Sequence, residues 1–313
     1  MNNDSKIVIT GAAGLVGQNL VLMLSERGYK NIVGIDMHEE NIEIMKKVVP
    51  GVQTILADVS EKGEWESSLD GAEIIIMLQA QITSKFSKPF AKNNVQSTRL
   101  LLDAIKKYAI SYAIQISSSV VVSVADDDYT NTKKEQEELV KNSGITYCVL
   151  RPTLMFGWFD KKHLGWLSRF MERVSVYPIP GSGKYLRQPL YVRDFCNVII
   201  KCMENQPHNS IYDIIGKEEV YYIDIIRAIK RAKELKTIVV CIPYGLFWFL
   251  MKVYALFSDK PPFTTEQLKA LTAGDYFPLT PWWEEIGVEC TPFEQAIRET
   301  FCHLKYSKIV LKP

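Results

Sequence analysis

Tyr129 and Lys133 are the two side chains in this sequence whose types and spacing suit proton transfer. They stand four residues apart near the start of a predicted helix, so both leave the same face of it. An ammonium group beside a phenol stabilises the phenolate and lowers the pKa of the phenol, as a catalyst of proton transfer near neutral pH requires. Serines 117 to 119 end the preceding strand, and their hydroxyls can bind a substrate oxygen. The alternative is an ordinary helix-face tyrosine beside a solvated lysine.

A second group of residues has the spacing of a phosphate-binding turn. Gly11, Gly14 and Gly17 recur at every third position in ITGAAGLVG, after the apolar strand KIVIT and before a helical segment. In such a unit the first glycine allows a tight turn, the second lets the backbone approach a pyrophosphate, and the third lets the helix pack closely. The pyrophosphate would rest on N–H groups at the helix start, beside Leu15 and Val16. A glycine turn without a ligand is the alternative.

An acidic residue at the end of the second predicted strand selects between two dinucleotides. Asp36 closes NIVGID, 19 residues beyond Gly17, where a carboxylate accepts hydrogen bonds from the adenosine ribose and repels a 2′-phosphate. Met37 and His38 offer no arginine, so the sequence predicts NAD as the cofactor. The further predicted cofactor contacts follow the third and fourth strands: Asp58, Val59 and Ala80. For Asp58, a plain helix cap is the alternative role.

The elements that must position these residues alternate between short apolar strands and amphipathic helices. This rhythm runs from residue 6 to about residue 155 and indicates right-handed βαβ units on a parallel sheet covered on both faces. We therefore predict an α/β protein with a Rossmann-type doubly wound parallel sheet and a smaller, mostly C-terminal substrate domain. The predicted NAD-binding domain is 1–155, with 189–215 returning to it. The predicted substrate-binding part is 156–188 and 216–313.

The composition is that of a soluble globular protein. The chain has 313 residues, 47% of them hydrophobic, and a net charge of +1, which gives no general basic field for nucleic acid. The six cysteines form no CxxC pair and the four histidines are far apart, so we expect neither a metal site nor a disulfide framework. The opening MNNDSKIVIT is too polar for a signal peptide, and we expect a cytoplasmic protein.

One apolar run, CIPYGLFWFLMKVYALF at 241–257, stands apart from this composition. It is shorter than the roughly 20 apolar residues that a membrane-spanning helix needs. We expect a buried or interface helix of the second domain. Peripheral membrane contact is the alternative.

The motifs together resemble those of the extended short-chain dehydrogenases/reductases, within the NAD-dependent epimerase/dehydratase family. TGAAGLVG is similar to the family's TGxxGxxG, and YTNTK is similar to its YxxxK. NNVQSTRLLLDAI at 93–105 resembles its fourth helix, in which Asn94 matches a structural asparagine. LRPTLMFG at 150–157 and GSGKYLRQPLYVRD at 181–194 resemble later segments, so the similarity covers nearly the whole chain.

The resemblance implies a role for each matching residue. Tyr129 is the acid/base, and Lys133 lowers its pKa and contacts the nicotinamide ribose. Ser119 matches the catalytic serine or threonine, with Ser118 as the second choice. Arg187 matches an arginine that grips the diphosphate of a nucleotide sugar, and its pairing with Asp194 or Glu219 is the alternative.

The function implied by the resemblance is epimerisation of a nucleoside-diphosphate sugar by hydride transfer to NAD and back, in the synthesis of surface polysaccharide or another glycan. The alternatives are a one-way NAD(P)-dependent keto-sugar reductase or hydroxysteroid-like dehydrogenase, and a non-catalytic NAD-binding module. Val120 and Val121 replace the Asp-Glu pair of the dehydratases, so we do not expect elimination of water. Tyr129 also follows Ser119 by only ten residues, and Asp128 is the expected helix N-cap.

The helices at 91–108 and 129–142 resemble those of the family's four-helix dimer interface. The resemblance therefore implies a homodimer. Packing of both helices within one protomer is the alternative.

Overall fold

Seven parallel strands form the central sheet of the protein, whose computed structural model describes residues 2–124, 126–257 and 277–312. The order across the sheet is β3, β2, β1, β4, β5, β6 and β11, so its direction of growth reverses beside β1. This topology confirms the predicted doubly wound fold. The strands are β1 (Ile7–Thr10), β2 (Ile32–Asp36), β3 (Gln53–Leu56), β4 (Ile74–Met77), β5 (Tyr112–Ile116), β6 (Thr146–Pro152) and β11 (Ser210–Ile214).

Both faces of the sheet are buried under helices, which explains why its inner strands are apolar throughout rather than alternating. Ile7 and Ile9 of β1 pack into one core with Leu20, whereas Val8 packs into the other with Leu101 and Ile105. Helices α1 (Leu15–Glu26) and α7 (Val192–Asn205) contribute to the first core. Helices α4 (Ser97–Lys107) and α5 (Asp128–Lys141) contribute to the second. Helix α2 (Glu39–Val48) connects β2 to β3.

The helix expected at 91–108 contains an irregular turn. It begins as α3 (Ser87–Phe90), continues as a π-helical segment (Ala91–Gln96) and becomes regular in α4. The side chain of Asn94 lies in the π segment, fully buried, where its Oδ1 accepts from the Gln81 N–H at 2.7 Å and its Nδ2 donates to Thr132 Oγ1 at 3.0 Å. π-helical turns are rare and often occur beside functional sites.

Within the described residues, the remaining elements include three two-stranded ribbons and five α-helices beside the sheet. β10 pairs with β7, β12 with β9 and β13 with β8. Residues 258–276 of the predicted substrate part lie outside the described residues. The bounds are β7 (Met155–Phe156), β8 (Val176–Pro180), β9 (Leu186–Arg187), β10 (Leu190–Tyr191), β12 (Val220–Tyr221), β13 (Ile238–Ile242), α6 (Leu164–Met171), α8 (Tyr222–Ala232), α9 (Tyr244–Phe257), α10 (Trp282–Ile286) and α11 (Phe293–Cys302).

Helix α9 contradicts the expected burial of 241–257, whereas a place at an interface stays a prediction. Residues 241 and 242 end β13, and the helix begins at Tyr244. None of residues 241–253 is buried, and the Phe249 side chain is 57% exposed. Apolar composition alone suggested burial, whereas the described part of the chain does not bury this helix. In the same part of the chain, no helix has the length and apolar character needed to cross a membrane.

Candidate functional site

A cavity of about 580 Å³ lies at the carboxyl ends of the central strands, where the direction of the sheet reverses. The folded chain brings residues from the glycine turn, the ends of four strands, the start of α5 and the β9 ribbon to this one cavity. Every predicted site residue lines it: Gly11, Gly14, Leu15, Val16, Gly17, Asp36, Asp58, Val59, Ala80, Ser118, Ser119, Tyr129, Lys133 and Arg187.

Two of the three glycines are required by close approaches of the backbone. Gly11 has a φ of +67°, and a Cβ there would lie 2.7 Å from the Gln79 backbone nitrogen. A Cβ on Gly17 would lie 2.2 Å from the Ala12 carbonyl oxygen. Gly17 therefore lets α1 pack against the turn itself, where a side chain would push the helix away.

The middle glycine faces space rather than protein. A Cβ on Gly14 would meet only the Gly11 carbonyl oxygen, at 3.3 Å, and Gly14 caps α1 without a side-chain hydrogen bond. The start of a helix favours an anion through its N–H groups and its dipole. This open cradle fits the pyrophosphate of a dinucleotide.

Asp36 is held in place by the turn and by a neighbouring histidine. Its Oδ2 accepts from the Ala13 N–H at 2.9 Å, and its Oδ1 accepts from the His38 N–H at 2.9 Å. His38 Nδ1 lies 2.8 Å from the same Oδ1, and this hydrogen bond raises the pKa of His38. His38 was not predicted as a site residue, although its position two residues after Asp36 was the available signal.

Asp58 stabilises a turn at the adenine side of the cavity. Its Oδ1 accepts from the Ser60 N–H at 2.9 Å and from Ser60 Oγ at 2.5 Å, and Lys92 Nζ lies 3.0 Å from its Oδ2. Burial raises the pKa of Asp58, but the bonds from Ser60 and Lys92 outweigh it and the pKa is lowered. Asp58 thus closes a local turn beside Val59 rather than capping a helix.

Both candidate serines lie at the site. Burial raises the pKa of Tyr129, the neighbouring Ser118 hydroxyl partly lowers it, and the net result lies above the ordinary value. Ser119, 6% exposed, begins a short 3₁₀ helix (Ser119–Val122) and lines the same cavity. Ser118 is therefore the serine whose hydroxyl influences the phenol.

Lys133 was expected to lower the pKa of Tyr129, but the structure does not show this effect. Lys133 Nζ donates to the Ile116 carbonyl at 2.7 Å and to Gln136 Oε1 at 2.6 Å, and the side chain is only 1% exposed. These bonds hold the ammonium, so burial rather than a neighbouring cation determines the pKa of Tyr129. The prediction that the phenol has a lowered pKa is wrong for this state of the protein.

Gln136 is a site neighbour that spacing did not reveal. Its Nε2 donates to Thr98 Oγ1 at 2.7 Å, and Thr98 Oγ1 donates to the Asn94 carbonyl at 2.7 Å. Lys133 is thereby linked through side chains to the π-helical segment. The available signal was its position on the same helix, three residues after Lys133.

The start of α5 differs by one residue from the prediction. Asp127, not Asp128, is the N-cap, and its Oδ1 accepts from the Thr130 N–H at 2.8 Å. The helix begins at Asp128, one residue earlier than expected, because Asp127 has the extended backbone that a cap requires.

Lys133 gives the protein a distinct dependence of stability on pH. Burial lowers its pKa from 10.5 to about 7, so between these values the unfolded chain binds a proton that the folded chain does not. The contribution of Lys133 to the free energy of unfolding should therefore rise as the pH increases through this window. Urea unfolding of the wild type and Lys133→Met should show a difference that changes with pH. Lys134→Met, an exposed neighbour, is the control, and an equal pH effect in both variants would contradict the assignment.

Arg187 lines the cavity from β9. Its side chain is 8% exposed. The Asp194 carboxylate, one alternative partner, accepts from the Thr291 N–H at 2.8 Å and the Thr291 hydroxyl at 2.7 Å. Gln188, which sequence reasoning missed, follows directly and exchanges two hydrogen bonds with the backbone of Phe277. Both Gln188 and Phe277 line the cavity.

Comparison with solved structures places the whole chain in one fold. UDP-glucose 4-epimerase from Thermotoga maritima, solved with UDP-glucose, superposes with a TM-score of 0.76 at 20% identity, covering 96% of this chain and 99% of that one. UDP-glucuronic acid 4-epimerase from Bacillus cereus, solved with NAD, has a TM-score of 0.67 at 24% identity, covering 76% of this chain and 87% of that one.

Similarity in sequence extends to a relative with another activity. A 4-hydroxy-2-methyl-3-oxo-4-farnesyl-3,4-dihydroquinoline-1-oxide ketoreductase from Stigmatella aurantiaca is 22% identical over 256 residues, 75% of each chain. Residues 7–214 match the model of the NAD dependent epimerase/dehydratase family, and they contain the whole central sheet and the cavity residues from Gly11 to Arg187. The chain therefore belongs to the NAD-dependent epimerase/dehydratase family, and NAD is its cofactor.

Proposed function

We propose that this protein is an epimerase of a nucleoside-diphosphate sugar, acting through a keto intermediate. The observation that carries the proposal is the buried guanidinium of Arg187 in the same cavity as Tyr129 and the glycine turn. A guanidinium suits a diphosphate because its N–H groups bind two oxygens at once. The cavity thus combines an anion-binding group on the substrate side with a proton-transfer group beside the cofactor site.

The roles of the chain's own residues follow from this arrangement. Bound NAD would supply the hydride acceptor for the substrate alcohol and the hydride donor for the ketone. Tyr129 as phenolate takes the hydroxyl proton, while Ser119 or Ser118 binds the same oxygen. Lys133 in its charged form would favour the phenolate, which burial of Tyr129 otherwise opposes. Gly14 and Asp36 would hold the pyrophosphate and the adenosine ribose.

Incubation with sugar nucleotides tests the proposal. The purified protein is analysed by native mass spectrometry for bound NAD and then given UDP-, GDP- and dTDP-sugars without added cofactor. Conversion to an epimer without net change in reduced nicotinamide is the expected result. Turnover that needs added nicotinamide and changes its redox state steadily would overturn redox-neutral epimerisation.

A one-way reductase or dehydrogenase of a lipid-like ketone or alcohol is the second candidate. It is favoured by the apolar side chains in the cavity wall and by the similarity to the farnesylated quinoline oxide ketoreductase. The reaction would use the same Tyr129 but leave the cofactor changed after each turnover. The apolar wall residues are Ile82, Val120, Leu154, Met155 and Phe277.

Replacing Arg187 separates these two candidates. For a sugar nucleotide, Arg187→Met should raise KM by roughly ten- to a hundredfold, because charge-assisted hydrogen bonds to the diphosphate are lost. Arg187→Lys keeps the charge but not the paired N–H geometry, so its KM should lie between those of the wild type and Arg187→Met. Steady-state kinetics measure both. An unchanged KM in Arg187→Met would remove the diphosphate role.

The homodimer proposed from the resemblance would have a charged interface. The outward side of α4 and α5 carries Arg99 Nη2 and Glu135 Oε1 at 2.8 Å, with Lys106 and Glu138 also exposed. We expect a dimer that weakens as salt is added, since screening acts on exposed ion pairs. Light scattering at low and high ionic strength measures this, and a monomer at low salt would contradict the dimer.

A further inference from the structure

We propose that helix α9, together with the outer face of the β8–β13 ribbon, binds the surface of a membrane that carries anionic headgroups. This inference goes beyond the proposed function and needs no statement about the substrate. It rests on exposed apolar side chains, on their distribution around the helix and on the charge of the segment.

The first observation is the exposure of four large apolar side chains within five residues of α9. Leu246 is 48% exposed, Trp248 42%, Phe249 57% and Leu250 50%. Single exposed apolar residues are ordinary on protein surfaces, whereas a contiguous group marks a binding surface.

The second observation is an exposed apolar face on the ribbon that precedes the helix in the chain. β13 pairs in parallel with β8 so that Ile238 lies beside Val176 and Val240 beside Pro178. All four are exposed, with Ile238 at 59% and Val176 at 50%. Alternate residues of a strand share a face, so these two pairs form one outer face of the ribbon. The chain passes directly from this ribbon into α9.

The distribution of the side chains fits a helix that lies in the surface of a membrane. Successive residues of a helix turn by about 100°, so the exposed Leu246, Phe249 and Leu250 share one face of α9. Trp248 and Lys252, four residues apart, lie on another face. An apolar face flanked by a tryptophan and a lysine is typical of a helix that lies in the plane of a bilayer surface. With 14 residues, α9 is too short to cross the roughly 30 Å hydrocarbon core.

The charge of the segment complements an anionic membrane surface. Lys252 is the sole charged residue between 237 and 257 in the sequence, and no carboxylate occurs there. Its Nζ lies 5.5 Å from the centre of the Trp248 ring. Tryptophan and lysine are the residues that place themselves at headgroup level, the lysine by extending its ammonium towards water. A second copy of this helix would instead bring two lysines to one interface.

The proposed membrane surface adjoins the chain segment that leads to Arg187. The Gly181 N–H donates to the Ile242 carbonyl at 2.7 Å, where β13 ends. Burial first, and then the proximity of Cys241 and Tyr244, raise the pKa of Tyr185, two residues before Arg187. Membrane binding would therefore occur beside the substrate wall of the cavity.

Vesicle flotation with the whole protein tests the inference. The probes are vesicles of phosphatidylcholine alone and of phosphatidylcholine mixed with phosphatidylglycerol. The wild type should float with the mixed vesicles, and Phe249→Glu should reduce the bound fraction about tenfold or more, because a carboxylate would enter the acyl region. Lys252→Gln should weaken binding to the mixed vesicles about fivefold. Leu304→Glu is the matched control, because Leu304 is 88% exposed and outside this surface.

Several results would overturn the inference. Absence of the wild type from both kinds of vesicle would do so, as would equal binding of the wild type and Phe249→Glu. A dimer that Phe249→Glu converts to a monomer, without vesicle binding by the wild type, would identify the surface as a self-interface instead. Unfolding curves confirm that Phe249→Glu is folded. Flotation needs no turnover, so failure of the proposed epimerase activity leaves this test intact.

Discussion

Tyr129→Phe should abolish most turnover while leaving NAD binding nearly intact. The change removes only the phenolic oxygen, which is the group that exchanges a proton with the substrate hydroxyl in the proposed reaction. General acid–base catalysis contributes roughly 10²- to 10⁴-fold to a rate, and kcat should fall by about that factor. Steady-state kinetics and NAD titration of the same preparation measure the two effects separately.

Ser118→Ala and Ser119→Ala are the comparison variants for Tyr129→Phe. The Ser118 hydroxyl lowers the pKa of Tyr129, so Ser118→Ala should raise this pKa and shift the pH profile of kcat. Ser119→Ala should lower kcat without that shift if Ser119 binds the substrate oxygen. Wild-type turnover in Tyr129→Phe would remove this residue from the mechanism.

Gly17→Ala should lower the stability of the protein, whereas Gly14→Ala should lower its affinity for NAD. At Gly17 the new methyl group would lie 2.2 Å from the Ala12 carbonyl oxygen, and α1 would have to move. Overpacking of this kind destabilises a protein by about 1–3 kcal/mol. At Gly14 the φ of −78° suits alanine and the nearest atom is 3.3 Å away, so the protein should remain folded. The methyl group there would occupy the space expected for the pyrophosphate and weaken NAD binding.

Urea unfolding and calorimetric titration with NAD distinguish these outcomes. The expected pattern is lost stability in Gly17→Ala and lost NAD affinity with retained stability in Gly14→Ala. Equal destabilisation of both variants would refute the steric difference between the two positions. Full NAD affinity in Gly14→Ala would refute the placement of the pyrophosphate.

The order of elements and the cofactor side of the cavity could be predicted because their signals are local. A buried strand, three glycines and an aspartate 19 residues later are adjacent parts of one βαβ unit, so their spacing in sequence determines their spacing in the fold. The same helical period is present in α7, whose buried residues Phe195, Val198, Ile199 and Cys202 recur on one face, although this helix was not among the predicted elements.

The errors arose where a property depends on contacts between distant segments. The bonds of Lys133 to the Ile116 carbonyl and, through Gln136, to Thr98 join three elements, and no spacing along one helix reveals them. The apolar run at 241–257 predicted a helix, which the structure shows from Tyr244 onward, but composition does not specify what covers a helix. The π-helical turn at Ala91–Gln96 has the same apolar pattern as a regular helix over so short a length.

The buried amino group of Lys133 also allows ligand binding to be coupled to the uptake of a proton. With a pKa lowered to about 7, this group can change its protonation near neutral pH. Binding of a ligand that brings a negative charge towards it favours the protonated form, and the buffer supplies the proton. The heat measured on binding would then contain the ionisation enthalpy of the buffer. Association with a dinucleotide or substrate becomes an equilibrium with solvent hydrogen ions as well as with the ligand.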